Sequence, residues 1–425
     1  MSLVNDIVAQ NRGGTAIAMA SVCSAQPDVL SAALLLAQEH GRAILVEATS
    51  NQVNQFGGYT GMTPADFIAH VRNMAAQLDV DPALIVFGGD HLGPQVWRAE
   101  DAHSAMAKAR DLMRAYVEAG FTKIHLDCSE GCKGEPAQVD DDLSATRAAS
   151  LAAVCEKYAP NRAALSYVIG TEVPPPGGAR ADEAGQTIAP TKPDRDRHTL
   201  ERHLAAFATE GLTDAWTRVV GLVVQPGLEF APTHIDHFDM AAPDHLSAAL
   251  SDTPHIAFEA HSTDYQQDAV YPDLARRHFA VLKVGPALTF AYRQALYALD
   301  AMSHWVDPAR SGHDLADAME ALMLAKPAHW SKHYEGNAAE LHLQRHFGYA
   351  DRIRYYWPEE SAQTAIAALF KAMRNPAPAP LIHQYFAPPV MQRAKALEKV
   401  AGSWARALVW AQVQDMLAPY LFDTK

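Results

Sequence analysis

The chain has 425 residues, of which 49% are hydrophobic and 20% are charged, so it is long enough to form a full hydrophobic core. Its formal net charge of −14 argues against nucleic acid as a partner, because phosphate binding requires a basic face that displaces counterions. No run of about 18 apolar residues is present, and the first residues lack the basic and apolar segments of a signal peptide. We therefore expect a cytoplasmic protein without a membrane partner.

Eight short β-rich segments recur along the chain, and each is followed by polar residues or glycine. In chain order they read TAIAMASVCS, RAILVEATSNQ, ALIVFGGDH, KIHLDCSEG, ALSYVIGTE, VVGLVVQPG, HIAFEAHST and FAVLKVGPA. Segments with helical periodicity lie between them, and two of these, 28–41 and 102–120, close on a glycine suited to end a helix. Strands that alternate with helices predict a parallel sheet, and eight such units predict a TIM barrel. A doubly wound open sheet is the alternative, but its glycine-rich turn is missing after the first strand.

Two regions lie outside this eightfold pattern. The connection after the fifth strand, residues 173–198, is rich in proline, glycine and charge and is much longer than an ordinary loop of its kind, so it is a candidate lid. From about Trp305 onward the chain shows helical patterns and no strand signals. We predict an α/β protein with a (β/α)8 TIM barrel over residues 1–305 and a helical extension over residues 306–425 that packs on the barrel.

Polar side chains recur with a period of two at the ends of three predicted strands. The sets are Glu47, Thr49 and Asn51; His125, Asp127 and Ser129; and Glu259 and His261. Period two places each set on one face, and the active sites of TIM barrels lie at the C-terminal ends of the strands. Such buried sets are costly unless they bond one another, a metal or a ligand. The alternative is a polar layer that closes the barrel, but three sets at one mouth favour a functional site.

Two histidines that follow predicted strands indicate a site for zinc or another divalent metal. His91 and His261 are distant in sequence but are predicted to face each other across one barrel mouth, and imidazole is a preferred zinc ligand. Glu172 or Gln225 is the candidate third ligand, with Glu259 as a further candidate behind them, and a glutamine would make the site weaker and more tolerant of other metals. Asp90, beside His91, is placed to exchange a proton with a metal-bound carbonyl substrate.

Six segments together resemble one known family. They are GGDHLGP, KIHLDCSEG, YVIGTEVPPPGG, VVQPGLEF, FEAHSTDYQ and LKVGPALTFAYRQAL. They are similar to the non-catalytic, Z-type subunit of D-tagatose-1,6-bisphosphate aldolase, whose members are often labelled tagatose 6-phosphate kinases. More distantly they resemble the zinc-dependent class II aldolases, which are TIM barrels. The resemblance covers nearly the whole chain. It implies galactitol and N-acetylgalactosamine catabolism, a ketose phosphate ligand, a class II tagatose-bisphosphate aldolase as catalytic partner, and an oligomer.

The class II resemblance implies roles for individual residues. Asp90 matches the catalytic acid/base, and His91 matches the first metal ligand. His261 matches a second metal ligand, whereas Gln225 stands where a third histidine is expected. We predict that the substrate-binding residues are the polar strand-end side chains Glu47, Asn51, Asp127, Ser129, Glu259 and Lys283.

The chain also departs from the class II pattern. Class II enzymes have glycines after the metal histidine, whereas here His261 begins the segment HSTDY. Without these glycines, the backbone amides cannot approach a phosphate closely enough to bind it. Val168 stands where class II enzymes carry a carboxylate. Glu172, four residues further on, is the residue that could compensate for its loss. The eighth-strand Asn-Val-Asp-Thr-Asp is replaced by VGPALTF, which directly follows Lys283. The remaining anion contact that we predict is the N-terminus of the helix starting at Pro286.

Two functions stay open at this point. The first is a subunit that supports the stability or activity of a class II aldolase and cleaves little tagatose 1,6-bisphosphate itself; the altered metal set and the helical extension favour it. The second is a metal-dependent aldolase or epimerase that acts on a ketose or ketose phosphate, and the clustered polar strand ends favour it. A Schiff-base aldolase is disfavoured because the sixth strand lacks lysine, which leaves Lys283 as the candidate nucleophile. A kinase is disfavoured because no kinase phosphate-binding motif is present.

Overall fold

The computed structural model describes residues 2–171, 188–310 and 314–424. Its strands are β1 (Met19–Val22), β2 (Ile44–Thr49), β3 (Ile85–Leu92), β4 (Lys123–Leu126), β5 (Ser166–Ile169), β6 (Val219–Val224), β7 (Glu229–Phe230), β8 (Ile235–Asp236), β9 (Ala257–Ala260) and β10 (Phe279–Val284). Eight of them form a closed parallel barrel in the order β1, β2, β3, β4, β5, β6, β9, β10, and β10 pairs back with β1. The predicted (β/α)8 TIM barrel is confirmed, and each of the eight predicted segments contains one barrel strand.

The helices that surround the barrel and continue beyond it follow in chain order. They are α1 (Leu3–Arg12), α2 (Pro27–His40), α3 (Pro64–Gln77), α4 (Ala102–Ala119), α5 (Asp141–Tyr158), α6 (Pro193–Thr209), α7 (Thr213–Trp216), α8 (Val270–Arg276), α9 (Pro286–Val306), α10 (Asp314–Ala325), α11 (Ala338–Phe347), α12 (Glu360–Ala372), α13 (Ala379–Tyr385), α14 (Pro388–Ala401) and α15 (Trp404–Leu417). The two glycines predicted to end helices are confirmed as C-caps: Gly41 directly follows α2 and Gly120 directly follows α4, and both have a positive φ. Glycine adopts this conformation without the steric cost of a Cβ.

The sixth crossover differs from the others. Between β6 and β9 the chain forms the small antiparallel hairpin β7–β8 and a 3-10 turn at Leu246–Leu250, where an ordinary barrel unit has an α-helix. The sequence analysis did not predict this hairpin, because two-residue strands carry no readable alternation.

The N-terminal end of the barrel is covered by α1. Val4 and Val8 of this helix pack in one buried apolar cluster with strand residues that include Met19, Val220 and Val281. Ser2 caps the helix by accepting a hydrogen bond from the Asn5 amide. Because this end is filled by side chains, the functional site is left to the opposite, C-terminal end of the strands.

The prediction of a long loop at residues 173–198 is wrong for the C-terminal part of that range, residues 193–198. Proline at the first helical position favours helix initiation, and α6 begins at Pro193, so residues 193–198 are helical. Residues 172–187, which make up most of the predicted loop, lie outside the described residues, and the predicted ligand Glu172 lies among them.

The helices after α9 pack against the barrel helices. Two side chains of α15 donate hydrogen bonds to residues of α2. The Trp410 indole donates to Asp28 (2.7 Å), and the Gln414 side-chain amide donates to the Ala32 carbonyl (2.9 Å). The division into a barrel of residues 1–305 and an extension of residues 306–425 stays a prediction. No helix within the described ranges combines the length and apolar character required to cross a bilayer.

Candidate active site at the barrel mouth

A pocket lies at the C-terminal ends of the barrel strands. It is open to solvent and has an empty volume of about 570 Å3. Its lining includes five of the residues predicted from the sequence: Asn51, Asp90, His91, His261 and Lys283. The other predicted residues Glu47, Asp127, Ser129 and Glu259 are buried and do not line the pocket.

Two lysines bind three carboxylates at the base of the pocket, and we call Glu47, Asp90, Lys123, Glu259 and Lys283 the ionic cluster. Lys123 is fully buried, and its Nζ lies 2.7 Å from both Glu47 and Glu259. Lys283 Nζ lies 2.9 Å from Glu47, 3.6 Å from Glu259 and in contact with Asp90. Burial alone would lower the pKa of each lysine, but the carboxylates outweigh it and raise both pKa values. Both side chains are therefore cations.

The Asp90-His91 pair is held from both sides at the end of β3. Burial would raise the pKa of Asp90, but His91 and Lys283 hold it well below its usual range, so the group is a carboxylate. His91 Nδ1 lies 2.8 Å from Asp127, whose other oxygen accepts from the Ser129 hydroxyl at 2.7 Å. Against burial, the carboxylates of Asp90 and Asp127 raise the pKa of His91. Asp127 and Ser129 thus orient His91.

Four side chains bring potential metal-binding atoms within 4.8 Å of one another, and we call Asp90, His125, Glu259 and His261 the ligand group. His125 Nδ1 lies 2.9 Å from Asp90, and its Nε2 is buried without a hydrogen-bond partner within the described residues. His261 Nε2 lies 3.1 Å from Glu259, and burial lowers the pKa of His261 to about 3. A neutral imidazole with a free lone pair is the form that binds a metal.

The local charge also fits a divalent cation. Among the described residues, the carboxylates of Glu47, Asp90 and Glu259 pair with the ammonium groups of Lys123 and Lys283, and the carboxylate of Asp127 pairs with His91. Even with His91 protonated, four carboxylates against two ammonium groups and one imidazolium leave one negative charge in excess inside a buried site, which is expensive without compensation. Two imidazole nitrogens and two carboxylates form a donor set that zinc and similar ions accept. The residues present therefore fit a divalent metal.

The structure does not place all predicted metal ligands together. The His91 ring lies 5.1 Å from the His261 ring, centroid to centroid, but His91 is not a member of the ligand group. Gln225 points its side-chain oxygen at the amides of Gly227 and Leu228 instead of the pocket. The assignment of His91 and Gln225 as ligands stays a prediction.

The predicted anion contact at the start of α9 is already occupied by a side chain. The Asp264 carboxylate accepts hydrogen bonds from the amides of Gly285 (3.0 Å) and Ala287 (2.8 Å). Burial raises the pKa of Asp264 to about 6. The prediction that the helix beginning at Pro286 offers its N-terminus to a phosphate is therefore wrong, because a carboxylate of the chain itself uses these amides.

Sequence reasoning missed several residues of the site. His125 belongs to the polar set recognised on β4 but was assigned no role, and Lys123, which shares its period-two face, was not recognised although the same alternation could have marked it. Arg354 and Tyr355 also line the pocket, although they belong to a 3-10 turn at Arg352–Tyr356 after the barrel. No local pattern marks these two residues, because only the packing of the extension brings them to the mouth.

The chain is similar to known proteins over nearly its whole length. The family model described as D-tagatose-1,6-bisphosphate aldolase subunit GatZ/KbaZ-like matches residues 4–425. A protein of Agrobacterium fabrum named D-tagatose 6-phosphate 4-epimerase is 47% identical over 423 residues, which are 99% of this chain and 97% of that protein. The crystal structure of a probable tagatose 6-phosphate kinase from Sinorhizobium meliloti is 43% identical, with a TM-score of 0.85 over 95% of this chain and 99% of that one.

A more distant structure shares the fold. The fructuronate-tagaturonate epimerase UxaE of Cohnella laeviribosi is 15% identical, with a TM-score of 0.51 over 96% of this chain and 82% of that one. The resemblance read from the six sequence segments is confirmed by the family match over nearly the whole chain. This chain belongs to the GatZ/KbaZ-like family of D-tagatose-1,6-bisphosphate aldolase subunits.

Proposed function

We propose that this chain is an enzyme that epimerises a ketose 6-phosphate at C4, with D-tagatose 6-phosphate as substrate and D-fructose 6-phosphate as product. The observation that carries the proposal is the ionic cluster with its ligand group. Buried charges cost stability even when they are paired, as Lys123 and Lys283 are, and such clusters at the mouth of a pocket are typical of active sites. The 47% identity to a protein named D-tagatose 6-phosphate 4-epimerase supports the same activity.

The chemistry of C4 explains why an aldolase-like site suits this reaction. The C4 hydrogen of a 2-ketose is not adjacent to the carbonyl, so its removal is not assisted by that group. Cleavage of the C3–C4 bond is assisted, because the electron pair moves to C2 and C3 and forms an enediolate. Re-addition to the other face of the C4 aldehyde then inverts C4 and restores the ketose, with no net oxidation.

Two pocket side chains suit the two charge movements of this reaction. The Asp90 carboxylate accepts the proton of the C4 hydroxyl as the bond breaks and returns it after re-addition. The Lys283 ammonium stabilises the negative charge that develops on the C2 oxygen. Because Lys283 helps to depress the pKa of Asp90, its movement toward the enediolate would make Asp90 a stronger base.

The ligand group would hold a divalent metal in the same pocket. Asp90, His125, Glu259 and His261 would each supply one donor atom, which leaves the second carboxylate oxygen of Asp90 for the proton of the C4 hydroxyl. When bound there, such an ion supplies Lewis-acid polarisation of a carbonyl oxygen. His91, oriented by Asp127, lines the same pocket, and its Nε2 lies 3.5 Å from Asp90 Oδ2.

The test is direct. The purified chain is incubated with D-tagatose 6-phosphate in the presence and absence of divalent ions, and D-fructose 6-phosphate is followed by NMR in deuterated water. We expect conversion without deuterium at C4, since the C4–H bond is never broken, and a roughly 100- to 10,000-fold lower rate in Asp90→Asn. Deuterium at C4 would contradict the cleavage mechanism, and no conversion under any metal condition would contradict the activity.

The second candidate function is a supporting subunit of a class II tagatose-bisphosphate aldolase. The description of the family as an aldolase subunit favours it. Mixing the chain with such an aldolase and measuring cleavage of tagatose 1,6-bisphosphate tests it. A higher rate or a longer half-life of the aldolase in the mixture, unchanged when Asp90→Asn replaces the wild type, would support this role independently of epimerase activity.

A further inference from the structure

The extension after the barrel contributes a cation to the active-site pocket. Arg354 and Tyr355, in the 3-10 turn at Arg352–Tyr356, line the same pocket as Asp90, His261 and Lys283. Arg354 is partly exposed, whereas Tyr355 is buried.

Arg354 has neutral partners in the part of the chain that the structure describes. Its Nη1 donates to the carbonyls of Ala350 and Asp351, and its Nη2 donates to the Tyr355 hydroxyl at 2.9 Å. The nearby Asp351 carboxylate is paired with Arg293 (3.0 Å) instead. Among the described residues, no carboxylate forms an ion pair with Arg354. A guanidinium that is partly exposed, lines the pocket and has no carboxylate at ion-pair distance among the described residues can bind an anionic ligand there.

The electrostatics of the turn support the same conclusion. Arg352, two residues away, donates to the His329 carbonyl and stacks on the Tyr355 ring at 5.0 Å, and it too has no carboxylate partner among the described residues. Burial would raise the pKa of Tyr355, but Arg354 and Arg352 lower it. Arg354 therefore brings a positive charge to this wall of the pocket, whereas carboxylates outnumber lysines in the ionic cluster.

A sugar phosphate has the matching polarity. Its phosphate is a dianion, and its other end presents hydroxyl and carbonyl oxygens suited to the ionic cluster. The backbone amides at the start of α9 cannot bind the phosphate while they donate hydrogen bonds to the Asp264 carboxylate. The planar guanidinium, by contrast, forms paired hydrogen bonds with phosphate oxygens.

We propose that Arg354 binds the phosphate group of the ketose phosphate and so makes the extension part of the substrate site. The proposal rests on the proposed function for the identity of the substrate, but phosphate binding itself can be measured without turnover. It also accounts for a barrel that lacks the glycine-rich phosphate site of class II aldolases yet belongs to a family named for sugar phosphates.

The experiment uses the full-length chain in four forms: wild type, Arg354→Gln, Arg354→Lys and the matched control Arg393→Gln. Arg393 is also an arginine of the extension that contacts the barrel, through Glu39, but it does not line the pocket. Inorganic phosphate binding is measured by calorimetry, and KM and kcat are measured with D-tagatose 6-phosphate and with unphosphorylated D-tagatose. Thermal unfolding of each form shows whether it is folded.

We expect Arg354→Gln to weaken phosphate binding and raise KM for the phosphorylated sugar roughly 10- to 100-fold, with an intermediate effect for Arg354→Lys and none for Arg393→Gln. The constants for unphosphorylated tagatose should not change. Phosphate binding that is weakened in Arg354→Gln while the wild type shows no turnover would support the phosphate site and refute the epimerase. A wild type that binds no phosphate, or an Arg354→Gln variant that binds it normally, would overturn the phosphate site whatever the turnover.

Discussion

Asp90 Oδ1 and His125 Nδ1 lie 2.9 Å apart at the base of the pocket. Since Asp90 is ionised and can only accept, this contact requires a proton on Nδ1, to which the longer contact of the His91 backbone N–H (3.2 Å) then cannot donate; the lone pair of His125 is at Nε2, which is buried without a hydrogen-bond partner within the described chain. A carboxylate that fixes the imidazole tautomer in this way is the usual arrangement behind a metal-binding histidine. The relationship makes His125, and not only the predicted His91, a candidate ligand.

The first prediction concerns metal content. His125→Ala should lower the affinity of the chain for a divalent metal by at least about tenfold, because it removes a donor atom of the ligand group. Metal content after equilibration with zinc, measured by mass spectrometry, checks it, and the exposed His40→Ala is the control. The sequence-based assignment of His91 predicts the same loss in His91→Ala. Full retention by His125→Ala would exclude it as a ligand.

The second prediction concerns Lys283. Lys283→Met should lower kcat for ketose phosphate epimerisation roughly 100-fold or more, because it removes the cation nearest to Asp90 in the pocket. Lys283→Arg keeps the charge and separates the electrostatic effect from misfolding, and the exposed Lys332→Met is the control. Equal kcat values in Lys283→Met and the wild type would show that this ammonium has no part in the reaction.

The third prediction concerns stability. Lys123 is fully buried between Glu47 and Glu259, so Lys123→Met leaves these two buried carboxylates, together with Asp90, to share the single ammonium group of Lys283. We expect the free energy of unfolding to fall by about 3–5 kcal/mol, as for other broken buried ion pairs. Lys108→Met, which removes a partly exposed pair with Glu100, should cost at most about 1 kcal/mol. Urea unfolding followed by circular dichroism compares them, and similar losses in both would contradict the buried role.

The fourth prediction concerns pH. Burial of His203 on α6 lowers its pKa to about 4, so the folded state disfavours its protonation while the unfolded chain protonates near pH 6.5. The stability that depends on the neutral form is therefore complete above pH 6.5 and decreases as the pH falls toward 4, by on the order of 3 kcal/mol. His203→Gln should show a smaller loss of unfolding free energy between pH 7.5 and pH 5 than the wild type. An identical loss in both would rule out His203 as a source of acid sensitivity.

The sequence by itself determined the barrel and the strand-end position of much of the site. Alternation, glycine stops and polar strand ends are local signals, and they located all eight barrel strands and put Asp90, His261 and Lys283 at the pocket. They also contained His125, because a period of two fixes the face of a side chain on a regular strand. What they could not provide is the contact between side chains from different strands.

Only the tertiary structure decided how the side chains at the mouth are combined. The pairing of β3 with β4 shifts register between Gly89 and Leu92, and His91 adopts a positive φ of 46°, so simple alternation no longer fixes the direction of its ring. His91 consequently contacts Asp127, while His125 joins the ligand group. Arg354 reaches the pocket only because the extension packs against the barrel, and such a long-range contact leaves no periodic signal in the sequence.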